Sequence, residues 1–456
     1  MNNQTSKVAV LISICIASFS NAFMLSSINV ALPSIQREFS ADAVMLSWTV
    51  MGTMLATAVA LIPMGRLGDI YGRRKFYMAG MVLFGITTLL SGLATSVQML
   101  IVMRVFQGIS TSMRVAVGMA ILASVYPAEE RGRALGISSA VIYIGLSSGP
   151  FFGGIITQHF GWRYIFFLTV PLTLFAFIIA LWKLKGEWAE AKGEKFDIPG
   201  CILYGISLVL FIYGATRVPS ANATWLIIAG VLGITGFVFW EKYIKNPIFN
   251  VLLFARNRVF AFSGIATFIS YASVSATAFL LSLYLQYIKG FSPQSAGFIL
   301  LFQPIVQAVF SPLAGKLSDK VEPGIIASVG MALTAISLFS FMFLDYQTSL
   351  PYLLSTLMFL GLGYALFASP NTNAIMGSVE KKYYGIASGM VATVRTVGMV
   401  ISLAFAAALF SVFIGRAEIS PDKYPALLKS IRYAFGSFSG LCAIGIYFSI
   451  SRGKVR

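Results

Sequence analysis

An all-α membrane protein is the fold class this sequence predicts, and three observations carry that prediction. Of its 456 residues 57% are hydrophobic and 11% charged, and the mean hydropathy is +0.83. That balance lies outside the range of soluble globular domains. Apolar runs of about 20 residues, enough for a helix to cross a bilayer, recur along nearly the whole chain. The net charge of +17 is spread in small groups of cations between those runs. This is a membrane-topology pattern and excludes a nucleic-acid-binding stripe.

The runs resolve into fourteen spans. The first six cover roughly 8–32, 44–64, 77–95, 97–124, 134–157 and 163–184. A polar stretch, Lys185 to Asp197, leads to two more, and these cover roughly 198–217 and 223–243. The last six cover roughly 259–284, 295–314, 325–344, 350–370, 385–414 and 432–450. Lys7 precedes a first run of about 23 residues, too long for the core of a cleaved signal, so that run reads as a retained helix. With the N-terminus cytoplasmic, twenty-two Lys and Arg side chains fall inside, including Arg131, Arg133, Lys381 and Lys382, and eight fall outside. The excess predicts that both termini are cytoplasmic, in a plasma membrane.

The outer blocks of six spans repeat. Gly65-x-Leu67-x-Asp69 recurs as Gly315-x-Leu317-x-Asp319, 250 residues on. Gly136 and Gly149 are 13 apart, as are Gly385 and Gly398, at an offset of 249. Two nearly equal offsets predict homologous halves related by an axis along the membrane normal. The chain then divides into an N-terminal six-helix bundle (1–184), a linker with an inserted helix pair (185–257) and a C-terminal six-helix bundle (258–456).

Between spans two and three lies Gly65-Arg66-Leu67-Gly68-Asp69-Ile70-Tyr71-Gly72-Arg73-Arg74-Lys75. It reads as a tight basic loop in which Gly65, Gly68 and Gly72 permit turning. Asp69 is placed to pair with Arg73 or with a helix N-terminus. Composition alone makes the stretch a positive-inside anchor. Its full pattern, G-x-L-x-D-x-x-G-R-R-K, resembles the loop between helices two and three of the major facilitator superfamily of secondary transporters. The fourteen-span plan resembles that superfamily's drug:proton antiporter branch, over essentially the whole chain. The resemblance implies two six-helix bundles facing each other across a central cavity, with an inserted helix pair. It also implies a cytoplasmic latch at Gly65, Asp69, Gly72, Arg73 and Arg74.

Span four carries Arg104, Gln107, Thr111 and Arg114, which at helical spacing share one face. Arginines inside a span are costly and face a cavity or a partner. Arg104-x-x-Gln107-Gly108 resembles the family's span-four motif, whose arginine the resemblance implicates in proton coupling. Arg114 lies deeper, outside that motif. In span five, Gly145, Gly149 and Gly153 form a small-residue seam beside Pro150, similar to the family's antiporter motif. The same residues fit G-x-S-x-G, but a hydrolase elbow needs a strand-to-helix turn and a His partner, and the chain's one His is His159. Span one ends Asn29-Val30-Ala31-Leu32-Pro33, also like the family, but where many relatives carry an aspartate this chain has Met24.

All sixteen acids fall in loops or at span ends, whereas Arg104, Arg114 and Arg395 lie within spans. Arg395 also resembles an arginine position of fourteen-span relatives. A cavity biased positive disfavours lipophilic cations and favours anionic, zwitterionic or neutral amphiphiles. Asn21, Met24, Asn29, Gln303, Gln307 and Asn371 are further cavity candidates, although buried amides also join helices. Tyr271, Tyr284, Tyr287 and Tyr364 are candidates for an apolar pocket. Cys15, Cys201 and Cys442 lie far apart, so neither a disulfide framework nor a metal site is indicated. There is no G-x-x-x-x-G-K-[ST] loop for a nucleotide, and no cofactor is expected. The expected partners are a small-molecule substrate, protons and the lipid bilayer, with no nucleic acid. The sequence therefore predicts a non-enzymatic exporter of small amphiphilic or drug-like molecules, exchanging them for protons. A facilitator or lipid/organic-anion transporter without tight coupling, and a non-transporting sensor, remain open.

Overall fold

The computed structural model describes residues 6–453 except 245–246, 249–256, 319, 380–383 and 416, and leaves aside the side chains of 123, 128–129, 131–133, 135–136, 139, 384–386 and 388. Asp319 of the sequence repeat lies outside the described residues, as do the side-chain positions of Arg131, Arg133, Lys381 and Lys382. The first six helices are α1 (Lys7–Phe39), α2 (Ala43–Tyr71), α3 (Arg73–Gly92), α4 (Val97–Val125), α5 (Ala128–His159) and α6 (Arg163–Lys183). Next come α7 (Ile198–Thr216) and α8 (Ala221–Tyr243). The last block begins with α9 (Arg258–Val274), α10 (Thr277–Leu283) and a π-helical turn, Tyr284–Ile288, which together make one span. It continues with α11 (Pro293–Leu300) and α12 (Phe302–Ser318), again one span. The final helices are α13 (Pro323–Phe341), α14 (Leu350–Gly377), α15 (Tyr384–Phe413) and α16 (Tyr424–Ile450). Among the described residues, fourteen segments are long and apolar enough to cross a membrane.

Local chemistry fixes where these helices start. Asp42, Ser96, Asp197, Asn257 and Ser292 each accept a backbone N–H from the first turn of α2, α4, α7, α9 and α11. Several helices outrun their apolar runs. α1 continues past Pro33 to Phe39, because Ile35 and Gln36 are still buried.

The two blocks repeat one packing plan: α1 against α5 corresponds to α9 against α15, and α2 against α4 to α12 against α14. Glycines make the corresponding contacts. A Cβ at Gly149 would lie 2.9 Å from the Phe23 carbonyl oxygen, and one at Gly398 would lie 2.8 Å from that of Phe268. The inserted pair sits on the seam between the blocks, where α7 touches α2 and α15 and the Tyr204 hydroxyl donates to the Ala58 carbonyl at 3.1 Å.

The second block is stapled at its basic-loop end by Arg452, which is fully buried. Its guanidinium donates to Asn371 Oδ1 at 2.8 Å, Ser263 Oγ at 3.2 Å and the Ser449 carbonyl at 2.7 Å. Asn371 in turn donates to Thr267 and to the Ser263 carbonyl. Arg452→Ala strands those acceptors and should cost about 2–4 kcal/mol. The check is a lower apparent melting temperature of the purified protein.

Candidate functional site

The seam between the blocks is closed at the end away from the basic loop. There the Ser282 hydroxyl donates to the Asn29 carbonyl at 2.7 Å and Gln286 Nε2 to the Val30 carbonyl at 2.9 Å. The Tyr287 hydroxyl donates to Gln36 Oε1, and the Ala43 N–H to the Ala417 carbonyl at 3.3 Å. Gln286 and Tyr287 belong to the π-helical turn, a form of helix concentrated at functional positions. Beside them α5 and α11 meet backbone to backbone. A Cβ at Gly297 would lie 2.0 Å from the Pro150 carbonyl oxygen, and one at Gly154 would lie 2.5 Å from that of Pro293.

Deeper in the seam stands Arg395 of α15. Its guanidinium carbon is 5.2 Å from the Tyr271 ring centroid, and Tyr271 meets Tyr364 edge to face at 5.6 Å. Tyr143 of α5, in the first block, lies within electrostatic range of Arg395 and Tyr271. Arg395 Nε is buried with no hydrogen-bond partner among the described residues.

The polar stripe of α4 faces the inside of the first block. Gly108 lets α4 approach α2 closely, since a Cβ there would lie 2.2 Å from the Thr53 carbonyl oxygen. Arg104 Nε then donates to the Thr49 carbonyl at 2.9 Å and Nη1 to Gln107 Oε1 at 2.6 Å. Gln107 Nε2 passes the chain on to Thr88 at 2.8 Å and touches Met24 Sδ at 3.4 Å. Thr111 donates to Asn21 Oδ1 at 3.1 Å. Arg114 stacks on Phe84, 3.6 Å from its centroid. Its Nη1 reaches the Ala17 carbonyl at 3.4 Å, while Nε and Nη2 have no partner among the described residues. A positive bias between the blocks therefore rests on Arg395, because packing against α1, α2 and α3 turns Arg104 and Arg114 away from the seam.

The basic stretch needs a correction. Gly65 and Gly68 do not form a loop, because α2 runs to Tyr71 and α3 starts at Arg73. Their lack of a side chain serves packing: a Cβ at Gly68 would lie 2.4 Å from Val117 Cγ1. Gly72 alone turns the chain, at φ +117°. Asp69 sits in the last turn of α2 and pairs across the turn with Arg73, at 2.7 Å. Arg73 also takes Glu190 in a two-pronged pair at 2.8 and 3.0 Å. Glu190 belongs to the polar segment after α6, which folds back over the turn. There the Trp188 carbonyl accepts the Arg73 N–H at 2.9 Å, and Glu187 Oε1 accepts the Arg74 N–H at 2.8 Å. α3 has no side-chain cap of its own, so this distant segment supplies it. Glu190→Gln should loosen the turn by about 1 kcal/mol, given that Glu190 is largely exposed. Trypsin cleavage after Arg73 should then run about fivefold faster than in the wild type.

The remaining candidates divide by place. Gly145, Gly149 and Gly153 bring α5 onto α1, where Ser26 and Ser27 donate to the carbonyls of Leu146 and Gly149 at 2.9 Å. Pro150 and Asn29 lie at the closed end, and Asn371 in the Arg452 staple. Gln303 is half-buried and Gln307 buried on α12. Among the described residues the buried carboxylates are Asp197 and Glu241, at the facing ends of α7 and α8. Tyr143, Gln286 and Glu190 carried no motif; only the tertiary contacts reveal them.

The Major Facilitator Superfamily model matches residues 14–263 and 263–454. The riboflavin transporter RibZ of Clostridioides difficile is 30% identical over 449 residues, covering 97% of each chain. The tetracenomycin C resistance and export protein of Streptomyces glaucescens is 27% identical, covering 91% of this chain and 77% of that one. A multidrug resistance protein of Mycobacterium tuberculosis, Stp, is 28% identical, covering 86% and 74%. Among solved structures, a bacterial homolog of the human lysosomal transporter Spinster superposes with a TM-score of 0.69 at 16% identity, covering 98% of this chain and 96% of that one. With its repeated six-span blocks and, among the described residues, fourteen segments long and apolar enough to cross a membrane, the chain belongs to the major facilitator superfamily, a family of membrane transporters and not of enzymes.

Proposed function

We propose that this transporter exports small amphiphilic or drug-like molecules by alternating access, in exchange for protons. The observation that supports this most is the one-sided seam: hydrogen bonds and backbone contacts between the blocks gather at the end away from the basic turn. Such a seam suits rocking of one block on the other around a fixed site. With the basic turn and both termini in the cytoplasm, as the positive-inside count favours, this arrangement is the inward-opening one. Asp69, Arg73 and the turn at Gly72 are the latch that the opposite arrangement uses. Asp197 and Glu241, the buried carboxylates at the facing ends of α7 and α8, are the candidates for proton exchange among the described residues.

Resistance is in the names of two relatives, export in one of those, and riboflavin in that of a third, so riboflavin is the first compound to test. The experiment is counterflow of labelled riboflavin, and of an anionic, a neutral and a cationic amphiphile, into proteoliposomes. Exchange of one or more neutral or anionic compounds supports the reading. Binding without movement overturns it, and exchange confined to lipophilic cations overturns the positive bias assigned to the cavity. A facilitator without coupling is the second reading, favoured by the absence of any carboxylate close to Arg395 among the described residues.

A further inference from the structure

We propose that Arg395, Tyr143, Tyr271 and Tyr364 form a substrate subsite for flat aromatic molecules with an electron-rich, acceptor-bearing edge: carboxylates, imides and ring carbonyls. The proposal deepens the transport reading and rests on it for the word substrate, but the binding itself is independent of movement.

Four observations converge. Arg395 is a guanidinium inside a membrane span with no carboxylate beside it among the described residues; the groups acting on it electrostatically are the three tyrosines. Its Nε is buried and unpartnered, so the fork still has a donor to offer, and a planar guanidinium matches a planar two-acceptor edge. Tyr271 and Tyr364 meet edge to face, a pair that a third ring extends by offset stacking once it displaces the neighbours that bury both rings in this arrangement. Finally, the cluster is built from both blocks. Tyr143 comes from α5, Tyr271 from α9, Tyr364 from α14 and Arg395 from α15. Gly398, one turn beyond Arg395, holds α9 against α15, with Tyr271 Cβ only 3.1 Å from where a Cβ would stand. Arg395 and Tyr271 are therefore fixed relative to each other within the second block, while Tyr143 is the residue that moves relative to them when the blocks rock.

The two chemistries divide the work. The guanidinium selects charge and acceptor geometry at the edge. The tyrosine rings accept the flat face, whatever its substituents. A cationic ring of the same shape gains the stacking and meets repulsion at the edge. Within this subsite Tyr143, the member that the first block contributes, is the residue that would make occupancy sensitive to block position.

A charge series on one ring tests this without transport. Pyrenecarboxylate, pyrenemethanol and pyrenylmethylammonium are titrated against the full-length protein in nanodiscs, following pyrene fluorescence. The carboxylate should bind at least about tenfold more tightly than the ammonium compound. Arg395→Ala should erase that preference, and Arg395→Lys should keep the charge preference with weaker binding. Tyr143→Ala should weaken all three compounds alike, whereas Tyr143→Phe, which retains the ring, should not. A charge preference that survives Arg395→Ala, or three affinities unmoved by Tyr143→Ala and Tyr271→Ala, overturns the subsite. If the series binds as expected but no compound crosses the membrane, the subsite stands and the transport reading fails.

Discussion

Replacing Gly297 by leucine should unlock the closed end of the transporter. A Cβ at position 297 would stand 2.0 Å from the Pro150 carbonyl oxygen, and the atom it meets is backbone. No side-chain rotation relieves that contact. α5 and α11 must separate, and the Gly154–Pro293 contact beside it separates with them. Overpacking of this kind costs about 1–3 kcal/mol, and the cost falls on this arrangement of the blocks alone. The equilibrium should therefore move toward the arrangement open at that end by a factor of about 5–150. Spin labels placed across that end, at Phe160 and Phe298, both exposed, should report longer distances. The variant should also lose most counterflow, because a transporter unable to close one end cannot complete its cycle. Unchanged distances would show that the α5–α11 contact carries none of the closure.

Arg114→Met should stabilise the first block while damaging transport; Arg104→Met should damage transport too, but it also strands the Thr49 carbonyl and Gln107 Oε1. Each arginine is almost completely buried, and neither has a carboxylate partner among the described residues. Arg104 leaves Nη2 unmet, and Arg114 leaves Nε and Nη2 unmet. Replacing buried charged groups with apolar side chains of similar volume is often neutral or stabilising by about 1–4 kcal/mol. Met also fits the site chemically, since Arg114 already lies against Met81 and Phe84. Retaining two charges so poorly satisfied points to a role in the working cycle. Thermal unfolding in detergent should shift upward or stay level for Arg114→Met, and less favourably for Arg104→Met. Counterflow per folded molecule should fall by about tenfold or more. A variant as active as the wild type would reduce its arginine to a packing residue.

Much of this architecture was legible in the sequence because its signals are long. Fourteen apolar runs and two offsets of about 250 residues suffice for the block plan, since a span needs only length and hydropathy. The stripe Arg104–Gln107–Thr111–Arg114 was legible as a helix face, but not which neighbour it faced. Helical periodicity places side chains on a helix and says nothing about the direction in which that helix is turned. Gly65 and Gly68 were misread as turn residues because glycine serves tight turns and close helix packing equally well; only the position of Val117 distinguishes the two. Tyr143 and Glu190 were invisible for a different reason. Each acts on a partner more than 100 residues away, and aromatics make up 14% of the chain, so no local pattern singles them out. The aspartate expected from family resemblance is Met24 here, and the structure shows its place in the chain of contacts: Met24 touches Gln107, which holds Arg104.

The measurement that tests the account most directly is substrate-dependent proton movement in proteoliposomes, with a pH-sensitive dye inside. Riboflavin and the charge series are added in turn, to the wild type and to Arg395→Ala. Proton flux coupled to one or more neutral or anionic compounds, and lost in the variant, is the expected result. Labelled substrate crossing with no proton flux would contradict exchange and make the protein a facilitator. Flux driven by lipophilic cations, undiminished in Arg395→Ala, would contradict the site itself.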